Sequence, residues 1–196
     1  KHNIQVFEKI DVSEIVTDCA TCGSTLKEYG ALFSDDPEWA DRAAVFSGKV
    51  RDISEFLDEI ELKKPKGQLH QRVTYHDPCH LKRGQNIYTE PRALLSMIPK
   101  LDFVEMDEAD SCCGGAGTFS YTHHNLSRKI GSRKAENIRK TGAEMVVTPC
   151  PSCRMQLEDI LASEGMAVQV RHPVELIDMS FRSCDILDNE FMIVDE

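Results

Sequence analysis

Two short β-branched runs lead directly into paired cysteines, and an amphipathic stretch follows each. Ile15-Val16-Thr17 precedes Cys19-Ala20-Thr21-Cys22, and Val146-Val147-Thr148 precedes Cys150-Pro151-Ser152-Cys153. Apolar runs this short, bounded by turn residues, predict buried strands, while Leu26 and the stripe Leu157, Ile160, Leu161 predict helix faces. Asp35 and Asp36 ahead of Pro37-Glu38-Trp39 predict a helix running to about Ser47 with Gly48 after it, and Asp52 is placed to cap a helix carrying Phe56, Leu57 and Ile60. Val73 to His76 reads as a strand ending at Asp77-Pro78-Cys79, Pro91 to Met97 as a helix, and Phe103-Val104-Glu105 as a further strand. Asn125 to Lys140 reads as a long helix closed by Gly142. Alternating strands and helices predict a parallel sheet with helices on its faces. Sites in such sheets lie beyond the carboxyl ends of the strands, so the cysteine groups are expected to meet at one edge.

The pattern occurs twice. Superposing the two Cys-x-x-Cys motifs aligns Glu14-Ile15-Val16-Thr17 with Met145-Val146-Val147-Thr148 and Leu26 with Leu157. Further on, Val50-Arg51-Asp52-Ile53-Ser54-Glu55-Phe56-Leu57 aligns with Val170-Arg171-His172-Pro173-Val174-Glu175-Leu176-Ile177. Two aligned blocks in the same order indicate a duplicated unit. The fold class is therefore α/β, a Rossmann-like parallel sheet flanked by helices, in tandem units of which the first is truncated. The expected divisions are 1–64 for the carboxy-terminal part of the first unit, 65–181 for a complete second unit and 182–196 for an acidic tail. Lys63 to Gln68, polar and carrying both Pro and Gly, is the expected linker. Cys79 stands 71 positions before Cys150, whereas only 18 residues precede Cys19, and the chain starts with Lys. The expectation is a carboxy-terminal fragment of a longer protein.

The 196 residues, 41% hydrophobic and 29% charged, suit a soluble globular protein, and no apolar run is long enough to span a bilayer. A formal net charge of −10 excludes nucleic acid as an expected partner, since backbone binding needs clustered basic residues. Eight cysteines could suggest disulfides, but they sit in tight pairs without a signal peptide, which reads as metal or redox chemistry in a reducing compartment.

Five of the eight form one series: Cys79, then Cys112-Cys113, then Cys150 and Cys153. Cys150 and Cys153, three apart on a first helical turn, share a face, and the free N–H groups and dipole of that turn favour thiolate. Pro151 suits an early helical position. Adjacent Cys112 and Cys113 point apart, which serves one zinc poorly but can grip two irons of one cluster. Gly114, Gly115 and Gly117 let the backbone approach a cofactor closely and donate N–H groups to it. Five thiols are one more than a tetrahedral zinc or an ordinary four-cysteine cluster needs. The alternatives are a zinc site on four of these thiols with His80, and Cys112-Cys113 as plain core residues.

Tyr75-His76-Asp77-Pro78-Cys79-His80-Leu81, Cys112-Cys113-Gly114-Gly115-Ala116-Gly117-Thr118-Phe119 and Val147-Thr148-Pro149-Cys150-Pro151-Ser152-Cys153 together resemble the cysteine-rich "CCG" domain, over Glu14 to Ser180. That family includes heterodisulfide reductase catalytic subunits, glycolate oxidase iron–sulfur subunits, lactate-utilisation iron–sulfur proteins and an iron–sulfur subunit of anaerobic glycerol-3-phosphate dehydrogenase. The resemblance implies two tandem domains, often preceded by a ferredoxin-like segment. It also implies a non-cubane 4Fe-4S cluster on Cys79, Cys112, Cys113, Cys150 and Cys153. Cys19 and Cys22 resemble the last two ligands of the first domain and would form an incomplete site, able to hold zinc or nothing.

His76 and His80 are candidates for relaying protons, or for structural hydrogen bonding around the metal. His172 matches a recurrent family histidine, and a helix cap explains it as well as Asp52 at the equivalent place. His123 and His124 open the long helix, with His124 where the family commonly has Pro. Arg128, Lys129, Arg133 and Lys134 read as a solvated helix face, and Cys184 receives no role. The resulting expectation is an iron–sulfur electron-transfer subunit of a multi-subunit oxidoreductase, partnering a flavoprotein 2-hydroxy-acid (glycolate or lactate) dehydrogenase. Its electrons would pass to a quinone or a thiol/disulfide acceptor. The alternatives are disulfide reduction at the cluster and a structural zinc module. Location is expected in the cytoplasm, reaching the inner face of the membrane only through a partner.

Overall fold

Each apolar run that leads into a cysteine forms a strand, and each of those strands hands over to a helix within a few residues. The computed structural model describes residues 1–190 and runs α1 (His2–Phe7), β1 (Ile15–Thr17), α2 (Ala20–Lys27), α3 (Tyr29–Leu32), α4 (Ala40–Gly48), β2 (Val50–Asp52) and α5 (Ile53–Glu59). It continues with β3 (Arg72–Tyr75), α6 (Cys79–Lys82), α7 (Glu90–Ser96), β4 (Asp102–Phe103), α8 (Phe119–Thr122) and α9 (His124–Thr141). The last elements are β5 (Met145–Val147), α10 (Pro151–Ser163), β6 (Gln169–Arg171) and α11 (Pro173–Glu190).

β1 and β2 pair in parallel, Ile15 opposite Val50 and Thr17 opposite Asp52. The other strands form an all-parallel sheet in the order β4-β3-β5-β6. A parallel sheet must be covered on both faces, and alternate side chains of its strands face opposite ways. Val146 and Val170 accordingly pack with Ile138 of α9 and Leu157, Ile160 and Leu161 of α10. Val73, Tyr75, Met145 and Val147 pack with Leu94 and Leu95 of α7 and Leu176 and Ile177 of α11. A third core around the two-stranded sheet holds Ile4, Ile15, Trp39, Ala43, Phe46 and Val50. The expected architecture, parallel sheets flanked by helices, is the one observed. No helix among the described residues is long and apolar enough to cross a membrane.

Local details differ from expectation for identifiable reasons. α4 starts at Ala40 rather than Pro37, because Asp36 closes a turn first: its carboxylate accepts from Glu38 N–H and its carbonyl from Trp39 and Ala40 N–H. Ile60, expected within the helix, lies just past the end of α5 as its C-cap and is 52% exposed. The segment around Lys63–Gln68 is irregular but packed, with Pro65 and Gly67 buried and Gly67 O accepting from Ser180 Oγ at 2.5 Å. The region expected as an acidic tail is helical as far as Glu190. Residues 191–196 lie outside the described residues, and the side chain of Cys184 outside the described side chains.

The two sheets meet through helices. α2 packs on the α6 segment, where a Cβ at Gly84 would fall 2.6 Å from Ser24 Oγ and 2.7 Å from His80 O, and Gln85 Nε2 donates to Ala20 O at 2.9 Å. The absent side chain at position 84 lets the first cysteine motif lie against the helix that begins with Cys79.

Candidate functional site

β3 and β5 lie side by side and parallel, so their carboxyl ends deliver Cys79 and Cys150 to the same edge of the sheet. Cys112 and Cys113 arrive from the loop ahead of α8, and Cys153 from the first turn of α10. All five line one cavity of about 270 Å³, together with His76, His80 and Thr21. Cys113, Cys150 and Cys153 are buried, Cys79 and Cys112 are exposed, and each of the seven cysteines with described side chains is a free thiol. One nitrogen of His76 and the sulfurs of Cys113 and Cys153 all lie within 4.8 Å of one another. His76 is 1% exposed, and neither ring nitrogen has a hydrogen-bond partner among the described residues. His80, exposed, sets Nδ1 3.4 Å from Cys79 Sγ.

The sulfurs are close enough to share protons. A hydrogen bond from Cys153 pulls Cys150 down to about 5 against the cost of burial, with help from the Thr21 hydroxyl. Hydrogen bonds from Cys112 and Cys153 hold Cys113 far below an ordinary thiol. The same contacts to Cys113, together with burial, push Cys112 and Cys153 up. Soft donors in this number, with an orphaned buried imidazole beside them, fit a thiophilic metal centre.

The Cys112-Cys113 loop is held from three sides. Gly114 adopts φ +93°, and a Cβ there would lie 2.6 Å from Ser127 O, so the residue must be glycine. Its N–H donates to Cys112 Sγ at 3.2 Å and its carbonyl accepts from Ser127 Oγ at 2.9 Å. Gly115 and Gly117 line the cavity. From below, Lys134 donates to Glu108 O at 2.6 Å and Ala109 O at 3.2 Å. Lys134 is fully buried, not part of a solvated face, and burial lowers its pKa to about 8. Arg128 and Arg133 do face outward, in ion pairs with Asp159 and Glu108. The buried positions Ser127, Gly131, Lys134 and Ile138 recur at helical spacing, a signal that places Lys134 inward before its charge is considered.

A second support went unread in the sequence. Asp77, 2% exposed, accepts two 2.8 Å hydrogen bonds from the Arg92 guanidinium, which also grips Glu105 and lies 4.8 Å from the Tyr75 ring centroid. Asp77 N–H donates to Ala109 O at 3.0 Å. One ion network therefore ties the turn before Cys79 to the loop before Cys112.

Cys19 and Cys22 do not line the cavity; Cys22 is exposed, and its N–H donates to Cys19 Sγ at 3.5 Å as the cap of α2. Their loop nevertheless docks on the second motif, with Ala20 N–H donating to Pro149 O at 3.1 Å. In the repeat alignment the reciprocal bond would run from residue 151 to Asp18 O, and Pro151 has no N–H to give. His172 supplies the donor instead: Nε2 reaches Asp18 O at 3.1 Å while Nδ1 accepts from Val174 N–H at 3.2 Å. His172 also accompanies a helix start, with its N–H on Glu175 Oε2, as Asp52 N–H is on Glu55 Oε2. His123 and His124 stand at the start of α9, where the His123 ring stacks on Phe119 at 5.0 Å, and neither lines the five-cysteine cavity.

The His172 arrangement needs a neutral ring, and burial lowers its pKa from the ordinary value of 6.5. The unfolded chain then binds the proton more readily than the folded one. The stability this contact contributes is therefore full above about pH 6.5 and lost as the pH falls below it. Melting temperatures between about pH 7.5 and 5.5 are expected to drop more steeply for the natural chain than for His172→Asn, which keeps a capping side chain but does not titrate. Parallel curves would contradict this.

Residues 73–158 match the family model described as "CCG: Cysteine-rich domain". A probable glycolate oxidase iron–sulfur subunit of Bacillus subtilis is 40% identical over 181 residues, covering 91% of this chain and 40% of that protein. A subunit of the fumarate reductase (CoM/CoB) of Methanothermobacter marburgensis is 41% identical over 186 residues, covering 92% of this chain and 35% of that protein. Lactate utilization protein A of an Exiguobacterium species is 31% identical over 179 residues, covering 91% of this chain and 73% of that protein. The chain thus spans well under half the length of the first two of these relatives.

Proposed function

We propose, for a chain that belongs to the cysteine-rich CCG domain family, that it holds an iron–sulfur cluster on Cys79, Cys112, Cys113, Cys150 and Cys153 and carries electrons within a multi-subunit oxidoreductase. The observation that supports this most is the convergence of those five thiols, from three separate segments, on one cavity lined also by an unpartnered buried His76. The bound cluster would supply one-electron redox chemistry. The chain would supply the rest: three buried sulfurs that exclude water, an N–H donor from Gly114 to Cys112, and two exposed sulfurs, Cys79 and Cys112, on the side open to an electron partner. The names of the Bacillus and Exiguobacterium relatives, which mention glycolate oxidase and lactate utilization, favour a 2-hydroxy acid as the source of the electrons; in this reading a flavoprotein would be the donor and a quinone or another carrier the acceptor. Cys19 and Cys22 would belong to a separate, incomplete site.

A second reading is reductive cleavage of a disulfide at the same cluster, in line only with the Methanothermobacter relative being named a reductase subunit. It also draws on the exposed Cys79 sulfur with His80 beside it, placed to handle a proton.

Anaerobic reconstitution with iron and sulfide, followed by metal analysis and EPR, tests the proposal. Iron and sulfide in equal amounts with an EPR signal on reduction are expected. One equivalent of zinc, with no iron or sulfide retained, would overturn both redox readings in favour of a structural zinc module. If iron is retained, thiol–disulfide reductase activity separates the second reading from the first.

A further inference from the structure

A hydroxyl beside Cys150 comes from the helix that follows β1, outside the four-stranded sheet. Thr21, on the first turn of α2, places Oγ1 3.5 Å from Cys150 Sγ, across 129 positions of sequence, and lines the five-cysteine cavity. Its position is set by bonds to the residues just before it. Ala20 N–H is held by Pro149 O, Ala20 O by the Gln85 amide, and Asp18 O by His172. The close approach of α2 at Gly84 completes the docking.

A sulfur bound to iron carries no proton, so in that state the Thr21 hydroxyl can only donate. Hydrogen bonds to ligand sulfurs draw off negative charge and favour the reduced centre, one of the levers by which a protein sets an iron–sulfur potential. Cys19, the counterpart of Cys150, accepts instead from the backbone N–H of Cys22 in its own helix. We infer that Thr21 is a positioning residue that raises the reduction potential of the centre on the five cysteines by donating to Cys150 from α2, the helix beside the other sheet. The first cysteine motif then tunes a centre it does not ligate. This inference rests on the proposed iron–sulfur function.

Thr21→Val removes the hydroxyl and keeps the side-chain shape, while Thr21→Ser keeps the hydroxyl. In EPR-monitored redox titrations of the reconstituted chain, the valine variant is expected to have a lower midpoint potential than the natural chain, and the serine variant to return toward it. Equal midpoints for the natural chain and the valine variant overturn the inference. Should the valine variant take up no iron, Thr21→Ala and Thr21→Ser decide by the same titration. The alanine variant, without the hydroxyl, is expected to have a lower midpoint than the serine variant, and equal midpoints overturn the inference. If the natural chain itself takes up no iron, the cluster reading fails and the inference falls with it, an outcome distinct from equal midpoints in loaded chains.

Discussion

Cys153→Ala is expected to abolish retention of iron and sulfide after reconstitution, while Cys22→Ala retains both. Cys153 is buried, with its sulfur within 4.8 Å of the Cys113 sulfur and of a His76 nitrogen, and it lines the cavity beside Cys150. Removing its sulfur takes away one proposed ligand and leaves its neighbours without the contact that favours their ionised forms. Loss of an outer-shell partner alone costs metal sites about 10–100-fold in affinity, so loss of a buried ligand should exceed that range. Cys22 is exposed and lies outside the cavity, so its sulfur bears on the five-cysteine site only through the backbone of α2. Iron and sulfide per chain, measured for both variants, give the comparison. Full retention by Cys153→Ala would remove that cysteine from the ligand set, and loss by Cys22→Ala would merge two sites kept separate here.

Arg92→Ala is expected to destabilise the fold by about 3–5 kcal/mol, the cost of stripping the partner from a buried charge. Asp77 is almost wholly enclosed and receives both ends of the guanidinium fork. Alanine leaves that enclosed carboxylate without its cation. For a domain whose net stability is about 5–15 kcal/mol, this is a large fraction. Glu105→Ala, which removes the 46% exposed partner on the other side of the same arginine, is expected to cost under about 1 kcal/mol. Arg92→Lys should recover only part of the loss, because an ammonium cannot form two paired bonds to each of two carboxylates. Urea unfolding midpoints of the three variants rank these effects. A glutamate variant as damaging as the arginine one would show that the buried pair is not the dominant contact.

Much of the frame could be read from the chain, for reasons that separate it from the rest. The strands at 15–17, 73–75 and 145–147 were legible because apolar β-branched runs end at turn residues, and α9 because its apolar spacing runs to a glycine in the left-handed region. The meeting of five cysteines at one edge followed from parallel strands. α4 was misplaced at its start because an acidic residue ahead of a proline can cap a turn as readily as a helix, and Asp36 does the former. Lys134 was misread because charge was weighed before helical phase. Arg92 and Thr21 carry no local signal: their partners stand 15 and 129 positions away, and only the packing of helices on two sheets selects them.

The pairing of β3 with β5 also dictates when the site can exist. Cys79 is synthesised long before Cys150 and Cys153, and nothing near it in sequence supplies the remaining sulfurs. The donors come together only when two distant strands align, a step that is slow because the intervening loop must close first. Until then the thiols are separate, solvent-facing and open to oxidation. Chains refolded with reductant and without oxygen should therefore recover the free-thiol arrangement, and those refolded in air should be trapped in mispaired disulfides.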